Sequence, residues 1–411
     1  MTSISSRAFG DGNAYSHQAG VPDRMLTEVG RGTPCGELLR RYWHPVSRSD
    51  DVTTRPKKLL ILGEELILFR TGDGTPGLLY PRCAHRGTSL FYGKVDEDGI
   101  RCCYHGWKFG VEGHCTHQAC EPDGGRHRDR IRQPWYPVQE QYGLVWAYLG
   151  PPEKKPSLPR YDILEDLGPD EKLVAHVGSF GSTQDHSFQE PPYVPYNWTH
   201  MVDNIMDPMH VQVLHSTFSV VQFVPEFALM PKVDFFRVEN GVCYSAVRDL
   251  DDGQRVDRVS SFIVPNIMST PSIELLPGRS RMMGWIVPAD DTHYFQVMLV
   301  RRASSAADRF RPVAHNNRYW HQYSDADHQD VPQDFEAQAG QGPMTLHSEE
   351  HLATSDRGIV MLRRLLKEQI RLVADGQDPL GVNSNLSNAI VSVRSGNFFS
   401  VGCSSVTPDL T

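Results

Sequence analysis

The sequence predicts an α+β protein of two domains, an all-β domain first and then a larger one in which helices pack on an antiparallel sheet. Three observations carry this. Short apolar runs at strand spacing, separated by turn residues, fill residues 57–148. A proline-rich stretch with Pro151, Pro152, Pro156 and Pro159 follows them. Beyond it, helix-period segments alternate with longer strand-like runs. At 411 residues the chain is long enough for each domain to bury its own core.

Taken in order, residues 1–24 are polar and rich in Gly and Ser, and read as a flexible tail. Leu38, Leu39 and Tyr42 recur at helical spacing and predict a short helix over Cys35 to Tyr42. Lys57 to Arg70 reads as two strands about a Gly63-Glu64-Glu65 turn, Gly77 to Tyr80 as a third, and Gly143 to Tyr148 as a further strand. These place the first domain at 25–155 and the second at 156–375. In the second, Tyr196 to His215 predicts a helix. Strands are expected within Lys232–Val247, Ser260–Thr270 and Arg281–Arg301, and a long helix over Glu349–Ala374. Residues 376–411 show no clear period and are left as a tail without assigned structure.

Composition narrows the function. There are 41 basic and 50 acidic residues, a formal net charge of -9, and no run of clustered Lys and Arg, so the electrostatic footprint of a nucleic-acid binder is missing. The first twenty residues lack the charged start and apolar core of a secretory signal. The longest apolar segment is interrupted by glutamates and too short to span a bilayer. A soluble, cytoplasmic protein is expected. Four of the eight cysteines fall between Cys102 and Cys120, which suits a metal site in a reducing compartment better than a disulfide framework.

Cys83-x-His85 and Cys102-x-x-His105 supply two thiolates and two imidazoles, sixteen residues apart. A structural zinc site could use the same ligands, though it commonly pairs Cys with Cys and His with His along the chain. One Cys and one His from each loop suit a Rieske [2Fe-2S] cluster, with two thiolates on one iron and two imidazoles on the other. Cys103-x-His105 and Cys115-x-His117 repeat the first tripeptide, so spacing alone leaves the choice of sulfurs open. Cys103, Cys115 and Cys120 are otherwise read as packing or surface thiols.

The segments Cys83-Ala-His-Arg-Gly-Thr-Ser-Leu and Cys102-Cys-Tyr-His-Gly-Trp-Lys-Phe resemble the N-terminal domain of the alpha subunit of Rieske non-haem iron oxygenases. The resemblance implies Cys83, His85, Cys102 and His105 as cluster ligands, with Arg86, Gly87, Tyr104, Gly106 and Trp107 shaping and shielding the cluster. It also implies a fold in which an all-β Rieske domain precedes a helix-grip-like catalytic domain.

Downstream stands Asp203-x-x-x-Asp207-x-x-His210-x-x-x-x-His215. Asp203, Asp207 and His210 fall on one face of a helix, whereas five residues advance an α-helix by about 500° and leave His215 about 140° from His210. A shared metal therefore requires the helix to end, kink or carry a π-bulge between them, and Pro208 favours such irregularity. Two histidines and one carboxylate on one face of an iron make a facial triad. The run Asn197 to His215 resembles the family's mononuclear iron motif, which implies His210 and His215 as ligands. The segment Glu349 to Leu366 resembles the C-terminal helix that supplies the third, so Asp356 is the expected carboxylate, with Glu349 and Glu350 as competitors. The same resemblance implies that Asp207 links the iron site to the Rieske histidine of a neighbouring subunit, matching His105, within a homotrimer or stacked trimers. Asp203 is expected to sit behind the ligands.

No G-x-G-x-x-G follows a strand, so NAD(P)H is expected to act only through a separate reductase of flavin and iron-sulfur type. Within the family the chain looks most like the phthalate dioxygenase group. That implies a terminal oxygenase using O2, a Rieske cluster and mononuclear Fe(II) in aromatic catabolism. Its substrate would be an aromatic carboxylate or aryl ether, modified by dioxygenase or monooxygenase chemistry: ring dihydroxylation or O-demethylation. The contrasting reading is a Rieske electron-transfer protein without oxygenase activity. A carboxylate substrate calls for an arginine, and Arg248 is the candidate, against the plainer reading of a solvated strand residue.

Overall fold

The structure, a computed structural model, describes residues 14–178, 193–306, 320–382 and 390–401. The N-terminal half is built from three small antiparallel sheets. Lys57–Ile61 and Glu64–Arg70 form a hairpin, continued by Pro76–Leu79 and Trp135–Tyr136. The turn falls on Leu62 (φ 49°) and Gly63 (φ 74°), two successive positive-φ positions as a tight two-residue hairpin turn requires. Glu64 and Glu65 therefore open the second strand instead of sitting in the turn. Lys94–Val95, Ile100–Arg101, Lys108–Phe109 and Cys115–His117 make a second sheet, and Trp43–Arg48, Leu144–Tyr148 and Val138–Gln141 a third.

The two Cys-and-His loops leave these small sheets by the same backbone turn. In the first, Cys83 N–H donates to the Thr88 carbonyl (2.9 Å) and Gly87 N–H returns to the Cys83 carbonyl (2.8 Å). In the second, Cys102 N–H donates to Trp107 (2.8 Å) and Gly106 N–H returns to Cys102 (3.1 Å). Gly87 and Gly106 both hold positive φ, which glycine adopts without steric cost. Cys102, not Cys103, is thus the structural counterpart of Cys83. Beneath the loops Ile67, Phe69, Leu79, Leu90, Ile100 and Phe109 form a separate apolar core that includes Cys83, Cys102 and Cys115.

The C-terminal half is organised by a nine-stranded antiparallel sheet. Along it run Glu171–Gly178, His293–Ala303, Met282–Asp290, Ile267–Ser269, Gln254–Ile263, Gly241–Asp249 and Lys232–Val238. Three expected strand regions resolve into hairpins, because Glu239-Asn240, Val264-Pro265-Asn266 and Asp291-Thr292 interrupt them. The stretch left without assignment contributes too. Gly396–Val401 pairs antiparallel with Gln254–Ile263, from Val259↔Gly396 to Gln254↔Val401. Three of its six residues are exposed in succession, so its side chains carry no alternation.

Helix Arg357–Ala374 packs on this sheet through Ile359, Leu362, Leu365, Leu366, Ile370 and Val373, one apolar stripe at i, i+3, i+4 spacing. It starts eight residues later than expected, after short 3-10 turns at His347–Glu349 and Thr354–Asp356. A continuous core joins both halves: Trp146 meets Trp285 edge to face at 5.2 Å, and the Leu62 and Gly63 N–H groups donate to the Pro288 and Ala289 carbonyls. Among the described residues no helix is long and apolar enough to cross a membrane.

Candidate functional site

At the tip of the N-terminal half, sulfur lies inside and imidazole outside. Cys83 and Cys102 are 3 % and 4 % exposed and face one another, and burial, reinforced by the neighbouring Cys102, pushes the Cys83 thiol up to about 11. His85 and His105 are half-buried at the rim with ring centroids 4.7 Å apart. His85 stacks on Trp107 at 4.4 Å, nearly parallel, while Tyr104 lies 3.8 Å from the His105 ring and Arg86 sits over Tyr104. Cys103 and Cys120 are exposed, and Cys115 turns its sulfur toward the His117 carbonyl. Two adjacent buried thiols beneath two adjacent imidazoles fit a [2Fe-2S] cluster, which Cys83, Cys102, His85 and His105 would hold.

The second cluster of donors is built by an interrupted helix. Asn197 caps Trp198–Ile205, its Oδ1 accepting the Thr199 N–H (3.0 Å) and its Nδ2 donating to the Thr27 and Asp291 carbonyls. The helix stops before Asp207-Pro208. Asp207 Oδ1 then accepts the N–H groups of Met209 (2.9 Å) and His210 (3.4 Å), starting a new helical segment at His210–Gln212. Val213–Thr217 continues as a π-turn closed by Phe218 N–H to the Val213 carbonyl (2.8 Å). An i→i+5 turn brings residues five apart toward one face, and the His210 and His215 rings stand 5.4 Å apart. The irregularity demanded by the five-residue spacing is thus the π-turn, which begins at Val213 between the two histidines, while the break before His210 lies outside that interval.

The carboxylate facing these histidines is Asp334, not the expected Asp356. Asp334 Oδ1 lies 3.4 Å from His210 Nε2 and 3.2 Å from His215 Nε2, and one donor atom from each residue falls within 4.8 Å of the other two. Two imidazole nitrogens and a carboxylate oxygen converging this closely suit one divalent iron, with other positions open to small molecules. Asp356 instead bonds the Ala353 N–H locally (2.6 Å), closing the 3-10 turn before the long helix. Its competitors are also engaged elsewhere: Glu349 bonds the Gly20 N–H and Glu350 pairs with Arg363.

Asp203 was expected behind the metal ligands, but it is its neighbour Asn204 that approaches the cluster, and on the donor side: its Nδ2 donates to Asp334 Oδ1 (3.0 Å) and lies 3.5 Å from His210 Nε2. Neighbours on a helix point about 100° apart, and Asp203 turns to the C-terminal helix, bonding Arg363 Nη2 at 2.6 Å. Asp207 Oδ2 stands 3.5 Å from His210 Nδ1. Burial disfavours a charged His210, yet Asp207 and Asp334 outweigh it and raise its pKa to about 10. Burial likewise opposes ionisation of Asp334, but both histidines hold it far below the usual carboxylate range. The site is preset for a positive charge, which a metal ion would supply in place of the proton.

Arg248 is not a solvated strand residue. It is 2 % exposed, its Nε donates to the Leu229 carbonyl (2.9 Å), and its buried Nη1 has no hydrogen-bond partner. Its guanidinium and that of Arg258 both lie over the Phe227 ring, at 5.2 and 5.3 Å. Burial first, then Arg258, lowers its pKa to about 10. Phe227 meets Phe223 at 6.1 Å, and Phe223 meets the His215 ring at 4.5 Å, so an aromatic path connects Arg248 with the iron-site histidine.

The chain is similar to known proteins in sequence and in fold. Residues 42–136 match the Rieske [2Fe-2S] domain family. The chain is 56% identical over 389 residues to phenoxybenzoate dioxygenase subunit alpha of Ectopseudomonas oleovorans, covering 94% of each. It is 33% identical over 398 residues to the oxygenase subunit of tert-butanol monooxygenase / tert-amyl alcohol desaturase of Aquincola tertiaricarbonis, covering 88% of this chain and 81% of that one. Its fold is shared with dicamba monooxygenase bound to dicamba, at a TM-score of 0.57 and 18% identity over 82% of this chain and 99% of that one. With identity extending through both halves, the chain belongs to the Rieske non-haem iron oxygenases and is an oxygenase alpha subunit.

Proposed function

We propose that this oxygenase acts on an aromatic carboxylate carrying an aryl ether, with Arg248 receiving the carboxylate. The buried guanidinium carries the reading: Nη1 has no partner, and no carboxylate side chain pairs with it among the described residues. A buried cation without a counter-ion is costly, and an anionic ligand would relieve the cost. The relative named for phenoxybenzoate has a substrate of this class, whereas the one named for tert-butanol has no carboxylate to bind, so the choice rests on the residues of this chain.

In this reading residues 25–155 hold the cluster through Cys83, His85, Cys102 and His105. Residues 156–375 hold Fe(II) through His210, His215 and Asp334. When bound, the cluster would supply single-electron transfer from a separate reductase drawing on NAD(P)H, and the iron would supply O2 activation. The protein positions its partners. Asp207 orients His210 and offers a polar route toward His105 of a neighbouring subunit in a homotrimer. Asn204 fixes the Asp334 carboxylate, Phe223 and Phe227 wall the approach, and Arg248 sets the substrate's orientation. A cytoplasmic location suits a protein that depends on a soluble reductase.

The test is oxygen uptake and product mass with a surrogate reductase, comparing a phenoxybenzoate with diphenyl ether. The acid should be turned over preferentially. Arg248→Met should raise KM for the acid about 10- to 150-fold, the worth of a charge-assisted hydrogen bond of roughly 1.5–3 kcal/mol, and leave slow diphenyl ether turnover unchanged. Equal turnover of acid and ether by the unaltered enzyme would overturn the assignment.

A further inference from the structure

We infer that Gln222 is a positioning residue of the iron site, a clamp whose single amide orients His215 and ties it to the segment that carries Asp334. The inference rests on the reading of His210, His215 and Asp334 as iron ligands. Gln222 lies beyond the π-turn, and no sequence motif marks it. Its backbone N–H donates to the His215 carbonyl (2.9 Å), folding the chain back on the histidine. Its Oε1 lies 2.7 Å from His215 Nδ1, and its Nε2 donates to the Leu214 carbonyl (3.2 Å) and the Pro332 carbonyl (3.1 Å).

These contacts fix the orientation of the amide. Leu214 and Pro332 offer only carbonyl oxygens, which accept, so the amide nitrogen must face them and the amide oxygen must face His215. An amide oxygen only accepts, so His215 Nδ1 carries the hydrogen. Nε2 then holds the lone pair, and it is Nε2 that stands 3.2 Å from Asp334 Oδ1. The imidazole is 2 % exposed and packed against Phe223, leaving no room for water to substitute for the amide.

Pro332 lies two residues before Asp334, on a segment far from His215 in sequence. The bond from Gln222 Nε2 to its carbonyl therefore ties together the two pieces of chain that must arrive at one metal. The two histidines are supported differently. His210 Nδ1 faces the Asp207 carboxylate at 3.5 Å, while His215 is held by a neutral group. Gln222 thus sets direction and spacing, and Asp207 contributes charge. Groups behind a metal ligand that fix its tautomer and ring orientation typically change metal affinity about 10- to 100-fold when removed.

The test uses the full-length protein with its Rieske cluster, whose electron paramagnetic resonance signal reports an intact N-terminal half. Fe(II) affinity is measured by chelator competition, and the nitrosyl adduct of the iron reports its geometry. Gln222→Leu removes every polar contact of the side chain, and should weaken Fe(II) binding about 10- to 100-fold and broaden the nitrosyl spectrum at an unchanged Rieske signal. Gln222→Glu keeps an acceptor for His215 Nδ1 and loses both donors, and should weaken binding less than Leu but by at least about fivefold. Unaltered affinity and spectrum in Gln222→Leu would overturn the clamp. Unaltered affinity in Gln222→Glu would overturn the tie to the Asp334 segment. If Gln222→Leu loses the Rieske signal through misfolding, Gln222→Glu alone decides. Asp334→Ala, run in parallel, separates the two levels: if it retains iron, the ligand reading fails, and if only it loses iron, the clamp fails.

Discussion

At the residue scale, two aspartates divide the roles that the sequence offers to one. Asp356 occupies the start of the most conspicuous helix after the histidines, yet its carboxylate closes a local turn on Ala353. Asp334 opens a helix of only six residues, too short to show a period, and reaches His215 across 119 positions. Asp334→Asn should therefore lose the mononuclear iron while keeping the Rieske signal. Asp356→Ala should keep both metal centres and cost about 0.5–2 kcal/mol, as loss of a capping bond does. Iron analysis with urea unfolding of both variants checks the pair, and iron loss in Asp356→Ala would restore that residue as the ligand. The Rieske residues were legible because each loop carries its own Cys and His within three positions. Spacing left the doubled cysteine open; the choice of Cys102 came from the family resemblance, and the backbone turns at Cys83 and Cys102 match. Asn204 was missed because the family resemblance pointed to Asp203, whereas Asp203 faces Arg363 and Asn204, one position on, bonds Asp334.

At the element scale, the iron site depends on how closely the long C-terminal helix approaches the end of Trp198–Ile205. Gly358, in its first turn, is the point of contact: a Cβ there would collide with the Phe235 ring and the Met206 carbonyl. Met206 directly precedes Asp207. Alanine in a helix gains about 1 kcal/mol over glycine, whereas overpacking costs about 1–3 kcal/mol, and a carbonyl held in the backbone cannot rotate away. Gly358→Ala should accordingly lower stability by about 1–2 kcal/mol and reduce iron occupancy, with the Rieske signal unchanged, because the push falls on the break before His210. A variant as stable as the parent and fully loaded would show that the helix simply shifts outward. The strands of the large sheet were readable from their apolar runs. Gly396–Val401 was not, since its place comes from backbone pairing and from the buried Asn397 amide, which bonds Arg258 and the Ser272 and Leu276 carbonyls, and neither leaves an apolar period.

At the scale of the whole molecule, the question is which iron each cluster serves. Within one chain no hydrogen bond, ion pair or ring contact among the described residues joins His85 or His105 to Asp207 or His210. Each site opens to the surface: His105 is half-buried beside Tyr104, which is 58 % exposed, and the Asp207 side chain is 25 % exposed. A head-to-tail contact would bring the His105 opening of one chain against the Asp207 opening of the next, and such a contact closes into a ring where its rotation allows. Subunit mixing separates the two routes. Cys83→Ala chains lack a cluster but retain the iron ligands, and His210→Ala chains the reverse, so neither alone should turn over. If electrons stay within a chain, mixed oligomers remain inactive. If each cluster serves its neighbour, a His210→Ala chain supplies the iron of an adjacent Cys83→Ala chain, and every mixed trimer regains one productive interface of its three, about one third of the parent's. Co-expression with two affinity tags, purification of doubly tagged oligomers and measurement of coupled substrate oxidation reads this directly. Recovery near that fraction supports the ring, and no recovery in oligomers that hold both metals would confine the path to a single subunit.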